Sequence, residues 1–371
     1  MSSPEKRNSK KKKEPSPNPS LPDDFLLSCF ARISTLYYPS LSLVSKSFPS
    51  LLTSPELYKL RSLADHTECC LYVCIQFFSD LGPTWYTLCR KPDQTLINKT
   101  KSSSSSGYVL AKVPIPNSPR ASFTGLMSVG PNIYNINSGP VSILNCRSHT
   151  WSEAPSMRDD LYSLSASVLD EKIYVIGLSR DCKNSLHESP FFKKKKKSLH
   201  VFDTETQTWD PVTIGLKDGF YNESIDGKFL VVASNKEVVI YDLKKVRWEV
   251  VRTRSRMDCN MDLPAYCEID NVLYSAWGGE FRWYDAKGYI GRWRKLEGLV
   301  GLPELTSESS VRLADHGGKM AVLLSQNLSF YYRFSHEKMI WCGEISLERR
   351  NGGCEIWGKV EWFDHVLIER L

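Results

Sequence analysis

The residues best suited to chemistry in this chain lie in the run "HTECCLYVC" (66–74). His66, Cys69, Cys70 and Cys74 are all side chains that zinc accepts as ligands. A structural zinc site typically needs a C-x2-C pair followed by a second pair downstream, and neither spacing occurs here. We therefore interpret these cysteines as small apolar residues of a strand core, and we expect no metal and no cofactor.

Motifs for catalysis are missing from the rest of the chain as well. The sequence contains no phosphate-binding loop, dinucleotide-binding turn, nucleophile elbow or H-E-x-x-H pair. The seven histidines are scattered, and no histidine pair accompanies the tyrosines, most of which lie in strand-like segments. We therefore expect a protein that is not an enzyme.

Side chains suited to binding a protein partner are more frequent than catalytic ones, and several are arginines in segments between predicted strands. Arginine binds carboxylates through two parallel hydrogen bonds, and an aromatic side chain can anchor an interface. Solvated charge is the alternative for each residue; as a set they favour a protein partner with an acidic segment. The candidates for this target-binding rim are Arg120, Arg158, Tyr162, Arg254, Arg256 and Trp277.

The net charge does not indicate a nucleic-acid partner. The formal charge is +6, but nine lysines lie in two runs, Lys10–Lys13 and Lys193–Lys197. Without them the remainder is close to −3, so the folded body is not basic and the runs are best explained as solvated tracts. Residues 1–19 are polar and rich in proline, which predicts a disordered tail whose lysines are either a nuclear import signal or merely solubilising.

The sequence predicts an intracellular protein, in the nucleus or the cytoplasm or both. Its first residues do not resemble a signal peptide, and no run of about 18 apolar residues could cross a membrane. Eleven cysteines without regular spacing fit reduced thiols. We expect no membrane partner.

Residues 20–64 read as a small helical module. Pro22 with Asp23 and Asp24 suits the first turn of a helix, and Ser54 before Pro55 suits an N-cap. Apolar residues recur at helical spacing after each of these starts. A module of this size buries little core, so we expect it to expose an apolar face to a partner helix; packing as a cap on the rest of the chain is the alternative.

Residues 65–371 change to short runs of β-branched and aromatic residues, with a repeating frame. Each repeat has an acidic turn, a buried strand, a loop, a strand ending in an aromatic–Asp pair, a turn and a tryptophan. The recurring tryptophans lie roughly 40 to 60 residues apart, the period of a propeller blade, and the longest interval contains an insertion at 179–197. They are Trp151, Trp209, Trp248, Trp293 and Trp341, with Trp85 marking an earlier blade. We expect a mainly β fold, a β-propeller of six blades in which the C-terminal strand closes the first blade.

The repeat frame resembles the kelch motif. "LHVFDTETQTWDPV" (199–212) is the best match, and "APSMRDDLYSLSA" (154–166) is similar to the segment that follows the kelch tryptophan. The double glycine of the motif is found only as Gly278–Gly279 and, displaced, as Gly317–Gly318.

The front module resembles an F-box, and with both parts the chain resembles the plant F-box/kelch-repeat proteins. "LPDDFLL" (21–27), "YPSLSLVSKSF" (38–48) and "LLTSPELYKLR" (51–61) match the opening, middle and end of that domain. Where the family usually has tryptophan, this chain has Phe48. The resemblance implies that adaptor docking is carried by Leu21, Pro22, Phe25, Leu26, Leu43, Val44 and Phe48.

By this resemblance the chain would be the substrate-recognition subunit of an SCF (Skp–cullin–F-box) E3 ubiquitin ligase. The F-box would bind the Skp-type adaptor and, through it, cullin, while the propeller would bind an unknown target protein for ubiquitination and proteasomal degradation. Two alternatives stay open: a scaffold that acts outside any ligase, and a propeller enzyme of the copper-oxidase kind.

Overall fold

In the part of the chain that the structure describes, five short helical segments come first and 23 β-strands follow them. The computed structural model describes residues 21–76, 82–91, 106–121, 125–137, 139–158, 161–180, 195–212, 221–225, 228–232, 237–242, 247–252, 265–277, 280–285, 292–303, 310–327 and 337–370. The helical segments are α1 (Asp23–Phe30), a 3-10 turn (Thr35–Tyr37), α2 (Tyr38–Leu41), α3 (Phe48–Leu52) and α4 (Pro55–Leu63). No helix in this part of the chain is long and apolar enough to cross a membrane.

The helices begin close to where the sequence predicts. Pro22 is the N-cap of α1, so it lies one position before the first helical residue and not within the first turn as predicted. The Ser54 side chain accepts a hydrogen bond from the backbone N–H of Leu57, which caps α4 as expected. The module has its own core, formed by Leu27, Phe30, Ala31, Tyr38, Leu52 and Leu57.

The strands form six antiparallel sheets in chain order, which confirms the mainly β propeller. The first sheet has three described strands and the other five have four each. The strands are β1 (Tyr72–Ile75), β2 (Thr84–Arg90), β3 (Tyr108–Val113), β4 (Leu126–Val129), β5 (Asn132–Asn135), β6 (Val141–Asn145), β7 (Thr150–Ala154), β8 (Leu161–Leu169), β9 (Lys172–Arg180), β10 (Lys195–Asp203), β11 (Thr208–Val212), β12 (Tyr221–Ile225), β13 (Lys228–Val232), β14 (Glu237–Asp242), β15 (Arg247–Arg252), β16 (Tyr266–Ile269), β17 (Val272–Trp277), β18 (Glu280–Asp285), β19 (Arg292–Lys295), β20 (Ser310–Asp315), β21 (Met320–Asn327), β22 (Glu337–Arg350) and β23 (Glu355–Arg370).

The repeat frame of the sequence corresponds to the second, third and fourth strands of a blade, with the turn before the second strand. At the end of β10, the Asp203 carboxylate accepts hydrogen bonds from the backbone N–H groups of Glu205 and Thr206, each at 3.0 Å. The equivalent Asn145 bonds in the same way to Arg147 and Ser148 at the end of β6. These side-chain bonds close a tight turn and direct the chain into the strand that carries the tryptophan.

The insertion predicted within one blade separates β9 from β10, which pair directly in one sheet. Lys195–Lys197 belong to β10, so the second lysine run lies partly in a strand. The predicted double glycine at 278–279 lies outside the described residues.

Apolar side chains are buried between neighbouring sheets. Trp85 and Val113 of the first blade meet Leu144 of the second, and a larger cluster joins the fifth and sixth blades. None of the nine cysteines in the described segments is in a disulfide.

The prediction that the C-terminal strand closes the first blade is wrong. The chain turns back at residues 351–354, and β23 pairs with β22 within the sixth sheet. Arg350 pairs with Glu355 next to the turn, and Glu337 pairs with Arg370 at the far end. A hairpin pairs segments that are neighbours in the chain. It therefore costs less loop-closure entropy than pairing the C-terminal strand with the first blade would.

Side chains close the ring instead. Val73, Ile75, Tyr86 and Leu88 of the first blade pack against Ile340, Cys342 and Val366 of the last. Tyr108 stacks on Trp362 with ring centroids 4.2 Å apart, and the Ser106 N–H and hydroxyl both donate to the Asp364 carboxylate.

Candidate functional site

Exposed apolar side chains are concentrated on the helical module. The large hydrophobic residues exposed among those described are Leu21, Phe25, Tyr37, Leu43, Val44, Leu63 and Val300. All but Val300 belong to the module. A soluble surface rarely leaves so many large apolar groups on one small element, so the concentration indicates a docking surface.

Five of the seven predicted docking residues are exposed. Leu21 and Phe25 are each 56% exposed at the start of α1, and Pro22 between them is exposed too. Leu43 and Val44 are 86% and 69% exposed in the turn after α2. The hydrogen bond from the Val44 N–H to the Leu41 carbonyl holds this turn in place.

The other two predicted docking residues, Leu26 and Phe48, are only half-buried and pack against the module's core. The Phe48 ring meets Phe30 edge-to-face, with centroids 4.9 Å apart. Phe48 therefore has a packing role within the module in addition to any contact with a partner.

A buried arginine organises the interior of the module. Arg61 of α4 is 3% exposed. Its guanidinium donates to the backbone carbonyls of Ala31 and Ile33 and to the Tyr38 hydroxyl. The spacing of Arg61, four positions after Leu57 on the buried side of α4, is the signal that could have identified it.

The segment between α4 and β1 is bonded back to the module through Glu68. Its carboxylate accepts hydrogen bonds from the Thr35 N–H at 2.7 Å, the Thr35 hydroxyl at 2.8 Å and the Ser34 hydroxyl at 3.2 Å. It also pairs with Arg61 at 3.1 Å. We call Ser34, Thr35, Arg61 and Glu68 the linker clamp.

The pKa of Glu68 reflects this environment. Burial acts to raise the pKa, but the hydrogen bonds from Thr35 and the charge of Arg61 outweigh it and hold the pKa below its usual value. Glu68 is therefore an ionised acceptor at neutral pH.

Further contacts join the module to the blades. The Arg147 guanidinium of the β6–β7 turn lies 4.9 Å from the centre of the Tyr58 ring. Burial, only partly opposed by Arg147, raises the pKa of Tyr58 to about 12. In the first blade, β2 lies beside the Thr35–Tyr37 turn.

The cysteines of the run 66–74, which the sequence predicts to be residues of a strand core, lie in different surroundings. Cys74 packs between the first two blades, whereas Cys69 and Cys70 are exposed and lie outside any strand. They are therefore not the strand-core residues that the sequence suggested; the Cys70 thiol instead donates to the Thr35 hydroxyl at 3.4 Å. Within the described segments, no group of three or more His, Cys, Asp and Glu side chains is placed to hold a metal ion.

Strand direction gives the propeller two unlike faces. The β6–β7 turn meets Tyr58, and Gly317 in the β20–β21 turn lies beside Cys69. In the blades with four strands, turns between the first and second or third and fourth strands therefore lie on the side of the module, which we call the proximal face. Connections between blades, and from second to third strands, lie on the opposite, distal face.

Four of the six predicted rim residues belong by topology to the distal face. Arg120 and Arg158 are exposed in the connections from β3 to β4 and from β7 to β8. Tyr162 lies near the start of β8, and Trp277 ends β17. Arg254 and Arg256 lie outside the described residues, between β15 and β16.

Comparison with known proteins identifies the same two parts. The F-box domain model matches residues 19–60, and the FKB95 Kelch-repeats domain model matches residues 85–367. The F-box/kelch-repeat protein At5g51250 of Arabidopsis thaliana is 52% identical, over 94% of this chain and 95% of its own length. The F-box/kelch-repeat protein At4g39550 of the same plant is 45% identical, over 100% of this chain and 97% of its own length.

Proposed function

Since this chain belongs to the F-box/kelch-repeat family, we propose that it is the substrate-recognition subunit of an SCF-type E3 ubiquitin ligase. The F-box module would bind a Skp-type adaptor and thereby cullin, while the propeller would bind a target protein for ubiquitination. The chain would perform no bond chemistry. Its contribution would be proximity, since holding the target raises the effective concentration of its lysines near the conjugating enzyme.

One observation carries this proposal: the apolar side chains at the expected docking positions of the F-box lie on the surface. Leu21, Phe25, Leu43 and Val44 are more than half exposed, although burying them would stabilise an isolated protein by about 1.5–3 kcal/mol each. A partner with an apolar helical surface would remove them from water. The alternative that the module is only a cap on the propeller leaves this exposure unexplained.

Target binding is assigned to the distal face. That face is turned away from the module, so a target bound there would not compete with the adaptor for the same surface. The exposed Arg120 and Arg158 favour a target with an acidic segment. The assignment of the rim residues and the location in the nucleus or cytoplasm stay predictions.

The test is a Leu21→Ala/Pro22→Ala double variant in a pull-down of adaptor and cullin from the full-length chain. We expect loss of adaptor and cullin together, with an unchanged thermal unfolding midpoint of the propeller. Leu63→Ala is the matched control, because Leu63 is 77% exposed in the same module but outside the predicted docking set.

Adaptor capture equal to that of the parent chain would contradict the F-box assignment. Capture of adaptor without cullin by the parent chain would instead favour the scaffold function.

A further inference from the structure

We propose that Glu68 is a positioning residue that holds the F-box module and the propeller in one relative orientation. The inference concerns the geometry of the ligase subunit suggested above, and its functional meaning rests on that proposal. The physical coupling itself can be measured without any partner.

The first step of the argument is the position of Glu68 in the chain. It lies in the segment between Leu63, the end of α4, and Tyr72, the start of β1. The Leu71 carbonyl already accepts hydrogen bonds from Leu88 and Thr87 of β2, so the first blade in effect begins at Leu71. Only Cys69 and Cys70 separate it from Glu68, a reach of about 10 Å. Holding Glu68 against the module therefore restricts the position and the orientation of the first blade relative to the module.

The second step is the number of donors that converge on this carboxylate. One oxygen, Oε2, accepts from the Ser34 hydroxyl, the Thr35 N–H, the Thr35 hydroxyl and the Arg61 guanidinium. The donors come from the 3-10 turn with its N-cap, Ser34, and from α4. Hydrogen bonds to an ionised acceptor are stronger and more directional than neutral ones. A flexible linker between two independent domains would need none of these hydrogen bonds.

The third step is that contacts flanking the linker clamp act in the same direction. Cys70 donates to Thr35 on one side of the segment, and Arg147 lies over Tyr58 at the second blade. The Tyr72 hydroxyl donates to the Cys146 carbonyl, which fixes the β6–β7 turn that carries Arg147. The module is therefore held at the linker and at a separate blade, and two such points restrict rotation as well as translation.

The consequence is a fixed geometry between the adaptor-docking surface and the distal face. A rigid subunit presents a bound target to the conjugating enzyme in one direction, which restricts the lysines that can be reached. A mobile subunit would spread the target over many orientations and reduce the effective concentration at any one lysine.

The test uses Glu68→Ala and the milder Glu68→Gln in the full-length chain. Arg61 is unsuitable, because it also bonds to Ala31, Ile33 and Tyr38 and its loss would damage the module itself. Glu56→Gln is the matched control, an exposed carboxylate in the first turn of α4. Small-angle scattering measures the inter-domain arrangement, and hydrogen–deuterium exchange measures the Thr35 amide.

We expect the Thr35 amide hydrogen to exchange about tenfold faster in Glu68→Ala than in the parent chain. This is the change that follows the loss of one charge-assisted hydrogen bond. We also expect a larger maximum dimension in scattering, with the far-UV circular dichroism spectrum of the parent. Glu68→Gln should give the same effects at reduced size, and Glu56→Gln should give neither.

Scattering from Glu68→Ala identical to that of the parent would overturn the proposal, even with faster exchange, because other contacts would then set the orientation. The pull-down of adaptor is scored separately. If the parent chain failed to bind adaptor, the proposed ligase function would be refuted. The scattering result would still decide whether Glu68 couples the module to the propeller.

Discussion

At the scale of single residues, exposure divides the seven predicted docking positions into two groups. Leu21, Pro22, Phe25, Leu43 and Val44 face solvent and are free to meet a partner. Leu26 and Phe48 pack on the module's core. Substitutions in the two groups should therefore act through different quantities, affinity in the first and module stability in the second.

We expect Phe48→Ala to lower the free energy of unfolding of the module by about 2–3 kcal/mol, because it removes the edge-to-face contact with Phe30. Val44→Ala should change it by less than about 0.5 kcal/mol while weakening adaptor binding, since Val44 is 69% exposed. The module contains no tryptophan, so circular dichroism of its helices is the suitable probe.

Phe48→Trp completes this series. If the residue is mainly packing, the larger indole should bind adaptor no more tightly than the parent. A gain in affinity with unchanged module stability would contradict this reading and would place Phe48 in the interface.

At the scale of elements, the β22–β23 hairpin is the longest among the described strands and depends on close backbone approaches. Its register shifts between Ile340 and Trp341 and again between Glu344 and Ile345. Gly343 lies between these two irregularities. A Cβ atom added there would lie 2.8 Å from the Trp362 carbonyl oxygen. The hairpin therefore needs a residue without a side chain at this position.

We expect Gly343→Ala to lower the free energy of unfolding by about 1–3 kcal/mol, because the new Cβ would meet both the Phe363 side chain, at 2.5 Å, and a backbone carbonyl that cannot rotate away. Gly82→Ala is the matched control, since no heavy atom lies within 4 Å of the position of its Cβ. Urea unfolding monitored by tryptophan fluorescence measures both. Equal midpoints for the two variants would show that the hairpin relaxes to accept the methyl group.

Elements whose signal is local could be predicted from the sequence. Asp203 with Trp209, and Ser54 with Pro55, each specify a turn or a cap within a few residues. The partner of β23 could not be predicted, because an alternating apolar strand does not say which sheet edge it joins. The linker clamp was also missed, since Thr35 and Glu68 are polar, distant in sequence and carry no periodic pattern.

At the scale of the whole molecule, packing between the first and last blades closes the ring, and none of the described strands pairs with both sheets. The two ends of the propeller meet through the apolar cluster around Ile340 and Cys342 and through the stack of Tyr108 on Trp362. Tyr108 and Trp362 lie on the outer strands of their sheets, β3 and β23. Closure therefore depends on side chains that a few substitutions can remove.

We expect Trp362→Ala to lower the free energy of unfolding by about 2–4 kcal/mol, since Trp362 is half-buried between the blades. Tyr108→Ala removes the other side of the stack, and the double variant completes a thermodynamic cycle. Stacked rings should give a coupling energy of about 0.5–1.5 kcal/mol. Hydrogen exchange should rise in β3 and β23 together in each single variant, because opening of the ring exposes both strands. Strictly additive energies, with faster exchange confined to the β22–β23 hairpin, would show instead that the first blade is held without this contact.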